Sequence, residues 1–326
     1  MSPIQIRPVF RRWDPKACYF RLQSVINRTV IPFVKMHGIG NDFILLDGIG
    51  EHLPETDFPT LARSVNDRRF GVGGDGLILI ERGASAPYQM RMFNPDGSEA
   101  EMCGNGIRCF AKLLKDRGYH DGGAVDVDTG AGRLTVTVEA NGWVRVDMGQ
   151  AWLKRGEIPM TGPADESFVD QPVEIADLGS RIADRKAQSP EPKAHSPKPF
   201  RGTAVSMGNP HLVIFVDDVH AIDLEHIGPI LEHHELFPKR VNVHFAQVVD
   251  KGHLIMRTWE RGAGITFACG TGACSIAVAG FLTGRSDRNV DIRLPGGHLK
   301  LEYQEDGRVF MTGPAETVFE GQWVGA

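Results

Sequence analysis

Short apolar segments bounded by turn residues recur along the chain and predict strands. Phe43–Asp47 and Leu77–Ile80 are apolar runs that each follow a glycine-rich turn, which is typical of short buried strands. Arg133–Val138 and Trp143–Met148 alternate between apolar and polar residues on either side of an Asn-Gly dipeptide, which is a strong signal for a β-hairpin. The first half of the chain is therefore predicted to be rich in strands.

The second half carries a similar set of strand-like segments, and clear helical patterns are few. This balance predicts a strand-rich α+β protein rather than a doubly wound parallel sheet. The predicted strands of the second half are Ala204–Met207, Leu212–Val216, Val241–Val249, Leu254–Trp259, Ile292–Leu294, Leu299–Tyr303 and Arg308–Met311.

Two predicted helices begin with the same short motif, Cys-Gly-(Asn or Thr)-Gly followed by apolar residues. One begins at Cys103 and extends to about Lys115, and the other begins at Cys269 and extends to about Leu282. The two cysteines are 166 residues apart, one in each half of the chain. The second helix is apolar on most of its faces, so we expect it to be buried. This repeat predicts two pseudo-symmetric domains, each a curved sheet around a central helix with a cysteine at its N-terminus.

The position of these cysteines suggests acid–base chemistry at carbon. Unpaired N–H groups and the helix dipole favour a thiolate at a helix N-terminus. The glycines beside each cysteine leave backbone N–H groups open to an anion such as a carboxylate, namely those of Gly104, Asn105, Gly270 and Thr271. If the two halves face each other, two thiols flank one anion site. A base on one face and an acid on the other are what inversion of an α-carbon requires.

The other cysteines are expected to have packing roles only. Cys109 and Cys274 lie inside the two helices, and Cys18 lies near the N-terminus. The spacings from Cys103 to Cys109 and from Cys269 to Cys274 lack the close cysteine pair of a zinc knuckle, so no metal site is expected.

Composition limits the classes of partner. The chain has 326 residues, enough for two domains, with 41% hydrophobic residues, 24% charged residues and a net charge of −5. Mild acidity argues against nucleic acid or anionic lipid as the main partner. No apolar run reaches the ~20 residues of a membrane helix. Five cysteines, an odd number without a CxxC pair, do not resemble a secreted disulfide framework, so we expect a reducing cytoplasm.

Two segments differ from the rest in composition. Residues 1–33 contain six Arg or Lys residues against one acidic residue, and we interpret them as a poorly ordered N-terminal extension. A transit peptide is the alternative, although the segment is poor in serine. Residues 184–201 are rich in Pro, Lys and Ser, and we interpret them as a mobile surface loop inside the second half.

Four separated motifs resemble the diaminopimelate epimerase family, and the resemblance extends from about Val34 to the C-terminus. It implies reversible conversion of LL-2,6-diaminopimelate to the meso form in lysine and peptidoglycan synthesis, without pyridoxal phosphate or metal, by a homodimeric enzyme. It also implies an active site in the cleft between two domains, 34–148 plus 314–326 and 149–313. The motifs are Lys35–Asp47, Phe93–Phe110, Val205–Val216 and Glu260–Cys274.

The resemblance implies a role for each matching residue. Cys103 and Cys269 match the catalytic cysteines, and the N–H groups of Gly104, Asn105, Gly270 and Thr271 match those that hold the α-carboxylate. Arg261 would pair with the distal carboxylate. Glu260 would meet the α-ammonium and, with His211, would tune the cysteine pair. The substrate-binding asparagines of the family match Asn41, Asn94, Asn209 and Asn242.

Two positions depart from the family pattern. Many members have glutamine where Gly76 stands, so that backbone or water would replace one substrate contact. A glutamate is common where Ile265 stands. We interpret both as variation near the site that removes no catalytic group.

Three alternatives remain at this point. Proline and hydroxyproline racemases have a similar fold and also use two cysteines. They usually have a histidine where Asn105 stands, and their substrates lack a second carboxylate. An isomerase-like relative of the phenazine-pathway type would lack one or both cysteines. A redox sensor would hold Cys103 and Cys269 as a resting disulfide. The asparagines and Arg261 favour a dicarboxylic substrate.

Overall fold

A computed structural model of the chain describes residues 30–51, 53–175 and 200–325. Its α-helices are α1 (Phe58–Val65), α2 (Gly104–Asp116), α3 (Leu224–Glu232) and α4 (Gly270–Leu282). Its strands are β1 (Val30–Gly38), β2 (Asn41–Asp47), β3 (Gly76–Arg82), β4 (Tyr88–Phe93), β5 (Glu99–Ala100), β6 (Gly123–Thr129), β7 (Gly132–Val138), β8 (Val144–Gln150), β9 (Gln171–Val173), β10 (Phe200–Ser206), β11 (Pro210–Phe215), β12 (Asn242–Asp250), β13 (His253–Glu260), β14 (Gly264–Thr266), β15 (Asn289–Leu294), β16 (Gly297–Tyr303), β17 (Arg308–Gly313) and β18 (Glu316–Val324).

The strands repeat one pairing pattern twice. In the first half, β18, β1, β2, β3, β4, β6, β7 and β8 follow one another in the sheet; in the second half, the order is β9, β10, β11, β12, β13, β15, β16 and β17. Corresponding neighbours share the same direction: β2–β3 and β11–β12 are parallel, as are β4–β6 and β13–β15. The antiparallel pair β8–β17 joins the two halves. The predicted pseudo-symmetry is thus present in the topology.

A central helix fills each half. Helix α2 contacts β1, β2, β3, β7 and β8, and α4 contacts the corresponding strands β10, β11, β12, β16 and β17. Both helices lie in one continuous apolar core, and nearly every residue of α4 up to Gly280 is buried, as its sequence predicts. The shorter helices α1 and α3 follow β2 and β11 and pack in two separate outer clusters. Each curved sheet is therefore packed on both sides where its parallel strands lie.

The predicted secondary structure is confirmed where it was specific, including the hairpin β7–β8 and the starts of α2 and α4. Val30–Phe33, which sequence analysis placed in the extension, belong to β1, where Ile31 and Phe33 are buried. Phe200 and Arg201, placed in the Pro-rich loop, begin β10. The rest of 1–33 and of 184–201 lies outside the described residues.

The C-terminal strand returns to the first half. Strand β18 pairs with β1 over its length, so residues from both ends of the described chain meet at one sheet edge. The predicted boundary between residues 148 and 149 lies inside β8, the strand that joins the halves. With these pairings as support, we propose the division into domains 34–148 plus 314–326 and 149–313. No helix in the described ranges is long and apolar enough to cross a membrane.

Candidate active site

The N-termini of α2 and α4 meet at one cavity of about 1140 Å³. Cys103 and Cys269 precede the two helices in extended backbone conformation, and both line the cavity. Met311 packs against the glycine that follows each cysteine: a Cβ atom on Gly104 would lie 3.2 Å from its Cε, and one on Gly270 would lie 3.1 Å from its Sδ. The two helix starts therefore share one tightly packed neighbour.

One side chain also hydrogen-bonds across the two halves. Asn105, in the first turn of α2, donates its amide to the main-chain oxygen of Ala268 at 3.2 Å and to Asn41 Oδ1 at 3.0 Å. Asn105 is buried, and both acceptors belong to residues that line the cavity. Its position explains why a polar residue follows Cys-Gly in this motif.

Two glycine–asparagine turns approach the cysteines from corresponding hairpins. Gly40 and Gly208 both adopt left-handed backbone angles, with φ of +87° and +94°, and each precedes an asparagine. Asn41 Oδ1 accepts a hydrogen bond from Cys103 Sγ at 3.7 Å. In the other half, Asn209 Nδ2 donates to the hydroxyl of Thr271 at 3.5 Å. The paired Gly-Asn turns were a second internal repeat that sequence analysis missed.

An acidic cluster behind Asn41 was also missed. Asn41 Nδ2 donates to Asp75 Oδ2 at 2.6 Å, and Arg68 bridges Asp75 and Asp42 with contacts of 2.7 and 2.6 Å. Burial acts to raise the pKa of Asp42, but hydrogen bonds from Arg68 and Lys35 outweigh it and hold that pKa at about 2. This cluster keeps Asn41 in one orientation, with its carbonyl oxygen toward Cys103.

His211 lies one layer behind the cavity. It is fully buried on β11, and its Nε2 bonds to Asn209 Oδ1 at 2.9 Å. Burial is the main cause that places the pKa of His211 well below its ordinary value, and the positive charge of Arg261 acts in the same direction, so the ring is neutral at physiological pH. Its link to Cys269 runs through Asn209 and Thr271, whose hydroxyl is 3.9 Å from Cys269 Sγ.

Both cavity thiols are harder to ionise than their helix positions suggest. Burial is the largest effect and raises the pKa of each thiol, that of Cys269 well above its ordinary value. Backbone N–H groups of the helix starts act in the predicted direction: those of Gly106 and Asn105 lower the pKa of Cys103, and that of Gly272 lowers the pKa of Cys269. Desolvation outweighs them, so burial opposes the thiolate that the helix positions favour.

Glu260 acts on both thiols. Its negative charge raises the pKa of Cys103 and of Cys269. Burial raises the pKa of Glu260 itself, while hydrogen bonds with Thr266 and Cys269 oppose that rise. Glu260 ends β13 and lines the same cavity as the two cysteines. A bound ammonium group would offset its negative charge there.

The remaining predicted residues divide into two groups. Asn94 lines the cavity, with its Nδ2 bonded to Ser98 Oγ at 3.0 Å. Asn242 is buried behind the wall: its Nδ2 donates to the main-chain oxygen of Pro210 at 2.9 Å, and its Oδ1 accepts from the N–H of Arg261 at 3.0 Å. The Arg261 guanidinium lies at the surface on the main-chain oxygen of Lys239, at 3.1 Å. Neither Asn242 nor Arg261 is among the described residues of the cavity wall.

The two departures from the family pattern have different surroundings. A Cβ atom on Gly76 would lie 2.8 Å from Cε of Met92, so the thioether, which lines the cavity, takes the space of a side chain there. Ile265 and Phe267 are exposed at the rim and leave an apolar entrance.

The cysteines with expected packing roles are separate from this site. Cys109 and Cys274 are fully buried in α2 and α4, and burial raises the pKa of each to about 12. Cys18 lies outside the described residues. Cys103 and Cys269 are free thiols in the structure.

Comparison with known proteins identifies the family. The sequence model described as "Diaminopimelate epimerase" matches residues 33–154 and 203–318. The chain belongs to the diaminopimelate epimerase family. The diaminopimelate epimerase of Moorella thermoacetica is 49% identical over 296 residues, which cover 89% of this chain and 98% of that relative. Family membership decides against the racemase and phenazine-type alternatives.

Solved structures confirm the fold class. A phenazine biosynthesis protein from Bacillus anthracis matches with a TM-score of 0.62 and 16% identity, covering 90% of this chain and 99% of that one. A hydroxyproline epimerase from Agrobacterium vitis, solved with bound trans-4-hydroxy-L-proline, matches with a TM-score of 0.58 and 14% identity, covering 90% and 91%. At these identities the similarity concerns the fold alone. The chain shares that fold with both solved structures.

Proposed function

We propose that the protein interconverts LL- and meso-2,6-diaminopimelate, a step of lysine and peptidoglycan synthesis. The observation that carries the proposal is the placement of Cys103 and Cys269 at two corresponding helix N-termini on one cavity, in a chain of the diaminopimelate epimerase family. The duplicated helix start places two thiols at one substrate site. Inversion at carbon needs two acid–base groups, one on each face, and the two thiols would supply them.

The reaction needs one thiolate and one thiol on opposite faces of the α-carbon. The thiolate removes the α-proton and becomes a thiol, while the electron pair stays on carbon and spreads into the α-carboxylate. The opposite thiol then delivers its proton to the other face and becomes the thiolate. N–H groups of Gly104, Asn105, Gly270 and Thr271 hold the carboxylate and stabilise the charge that develops there. Roles exchange with the direction of reaction.

Glu260 couples substrate binding to thiol ionisation. In the free site its charge raises the pKa of both thiols. The α-ammonium of the substrate neutralises that charge, so binding makes ionisation of one thiol easier. The thiol that acts as the base therefore loses its proton more readily when substrate is bound.

The distal carboxylate of the substrate is assigned to Arg261. No described carboxylate lies within ion-pair distance of its guanidinium, whereas Arg68, on the cavity wall, is held by Asp42 and Asp75. To meet the substrate, the Arg261 guanidinium would have to leave the main-chain oxygen of Lys239 and turn into the cavity. Asn94 and Asn242 complete this end, Asn242 by fixing the main chain of Arg261.

Solvent-deuterium exchange tests the function. Purified protein in D₂O should convert LL-diaminopimelate to the meso form and place deuterium at the inverted carbon. Proline offered in its place should not exchange. Conversion of proline with diaminopimelate left unlabelled would overturn the assignment. Activity should also survive a strong chelator and hydroxylamine, because the two thiols require neither metal nor pyridoxal phosphate.

We also propose a homodimer in the cytoplasm. The edge formed by β1 and β18 exposes apolar side chains that a second copy would cover, and within the described residues β18 pairs with β1 alone. Sedimentation should give a dimer for the full chain and a monomer for Phe319→Glu; a wild-type monomer at micromolar concentration would contradict it. The exposed apolar residues are Val30, Val318, Phe319 and Val324.

A further inference from the structure

A second fully buried histidine stands directly behind His211. His244 on β12 lies with its Nε2 2.8 Å from His211 Nδ1, and its Nδ1 lies 2.9 Å from the hydroxyl of Thr258 on β13. With the contact from His211 Nε2 to Asn209 Oδ1, the four side chains form one line of hydrogen bonds that ends at the cavity. None of the roles above uses His244 or Thr258.

The protons in this line can be placed by elimination. Burial lowers the pKa of both histidines, that of His244 to about 3, so each ring carries one proton. Asn209 Oδ1 accepts, so His211 Nε2 carries the proton and its Nδ1 is bare. His244 Nε2 must then donate to His211, and the Thr258 hydroxyl donates to His244 Nδ1. Every polar group of the line is satisfied in this arrangement.

The arrangement determines what Asn209 shows to the cavity. With Oδ1 turned back to His211, its amide N–H₂ faces forward, and its contact with the Thr271 hydroxyl at 3.5 Å lies beside Cys269. Reversing the line would turn the amide over and present a carbonyl oxygen instead. A donor at this place suits a carboxylate, whereas an acceptor repels it.

The other half shows that the fold does not need these polar groups. The parallel register pairs Phe43 with Gly76 in the first half and His211 with Asn242 in the second. The same register places Ile78 where His244 stands, and the next strand places Met92 where Thr258 stands. Three apolar side chains thus occupy the positions of the histidines and the threonine. The polar line is a property of the Cys269 side alone.

His244 also fixes the start of α4. A Cβ atom on Gly272 would lie 2.3 Å from His244 Cε1, so the ring packs directly on the helix turn that follows Cys269. A Cβ atom on the corresponding glycine, Gly106, would lie 2.9 Å from Cδ1 of Ile78. The position therefore has a packing role in both halves and an additional hydrogen-bonding role in one.

We propose that His244 and Thr258 are positioning residues, which hold His211 in its Nε2–H tautomer and thereby turn the amide N–H₂ of Asn209 toward a substrate carboxylate. The expected effect on KM rests on the proposed epimerase function, whereas the assignment of the histidine tautomers is independent of it. Because Asn209 would hold the carboxylate throughout the reaction, the loss of this line acts on KM more than on kcat.

Variants separate hydrogen bonding from packing. His244→Phe keeps a ring on Gly272 and removes both nitrogens, and we expect KM for diaminopimelate to rise about tenfold, the scale of one lost hydrogen bond. His244→Gln, whose amide can restore a donor near Nε2, should recover most of the loss. Thr258→Val should raise KM several-fold, and Thr258→Ser, which keeps the hydroxyl, should not. If His244→Phe does not fold, the comparison of Thr258→Val with Thr258→Ser tests the kinetic role instead. Wild-type KM in Thr258→Val would overturn the kinetic role.

Histidine ¹⁵N NMR tests the tautomers without any substrate. Wild-type protein should show Nε2–H signals for both rings, assigned by their loss in His211→Asn and His244→Phe, and the His211 signal should become mixed in Thr258→Val. An Nδ1–H tautomer or an imidazolium at His211 in the wild type would overturn the proposal. If diaminopimelate is not turned over yet both Nε2–H signals are found, the proposed function fails and the placement of protons stands.

Discussion

The side-chain amide of Asn105 donates to the main-chain oxygen of Ala268 at 3.2 Å, and this contact joins the start of α2 to the residue before Cys269. The same amide group donates to Asn41, which accepts from Cys103. A single buried side chain thus contacts the surroundings of both cysteines. The spacing of two groups that must act on one carbon depends on it.

Replacement of Asn105 should reduce both stability and turnover. Asn105→Ala removes the donor from the main-chain oxygen of buried Ala268 and one of the two donors to Asn41 Oδ1, so we expect the free energy of unfolding to fall by about 1–3 kcal/mol in urea titrations. Epimerisation should fall about a hundredfold, because small misplacements of reacting groups are costly. Asn289→Ala, at an exposed position on β15, is the control and should change neither quantity. Full turnover in Asn105→Ala would show that the halves align without this contact.

Glu260→Gln should make the thiols more reactive while it makes the enzyme less active. The Glu260 charge raises the pKa of Cys103 and Cys269, so its removal lowers both pKa values and increases the thiolate fraction at a given pH. We expect faster alkylation by iodoacetamide at pH 8, measured peptide by peptide with mass spectrometry. Glu101→Gln, another acid of the cavity wall, is the matched control. Slower alkylation in Glu260→Gln would refute this electrostatic role.

Alkaline pH should destabilise the fold through Cys109 and Cys274. Burial raises the pKa of each thiol to about 12, whereas the unfolded chain ionises near the ordinary value of 9.0. The stabilisation is complete below pH 9 and is lost as the pH rises from 9 toward 12. Between pH 8 and 10, the wild type should lose about 2–3 kcal/mol more unfolding free energy than the Cys109→Ala, Cys274→Ala double variant. Equal losses would mean that these thiols titrate normally in the fold.

The sequence was most informative where local patterns determine structure. The Asn-Gly hairpin and the repeated Cys-Gly start predicted β7–β8, both central helices and the two cysteines that meet at the cavity. Strand β18 was missed because most of its residues are exposed and its pairing with β1 joins distant parts of the chain. Pairing over such separations leaves no local signal.

The electrostatics of the site could not be predicted from the motif. A helix N-terminus favours a thiolate, but burial depends on packing by β2, β13 and Met311, and it dominates the pKa of Cys103 and Cys269. The polar line through His244 depends on the register of β11, β12 and β13, which no single motif encodes. Composition and motif predict which groups are present, and long-range packing determines their state.

Serine variants of the two cysteines test the central claim, that Cys103 and Cys269 act on opposite faces of one carbon. A hydroxyl can donate a proton but is a far poorer base than a thiolate. Cys103→Ser and Cys269→Ser should each lose most epimerising turnover, while Cys109→Ala and Cys274→Ala should stay within a few-fold of wild type because those residues only pack.

The decisive measurement is the rate of α-proton loss from each isomer, followed as deuterium washout from LL- and meso-diaminopimelate in both serine variants. The two variants should show opposite preferences, since each retains the base for one face only. The same preference in both variants would contradict the two-face geometry and would require a mechanism with a single base.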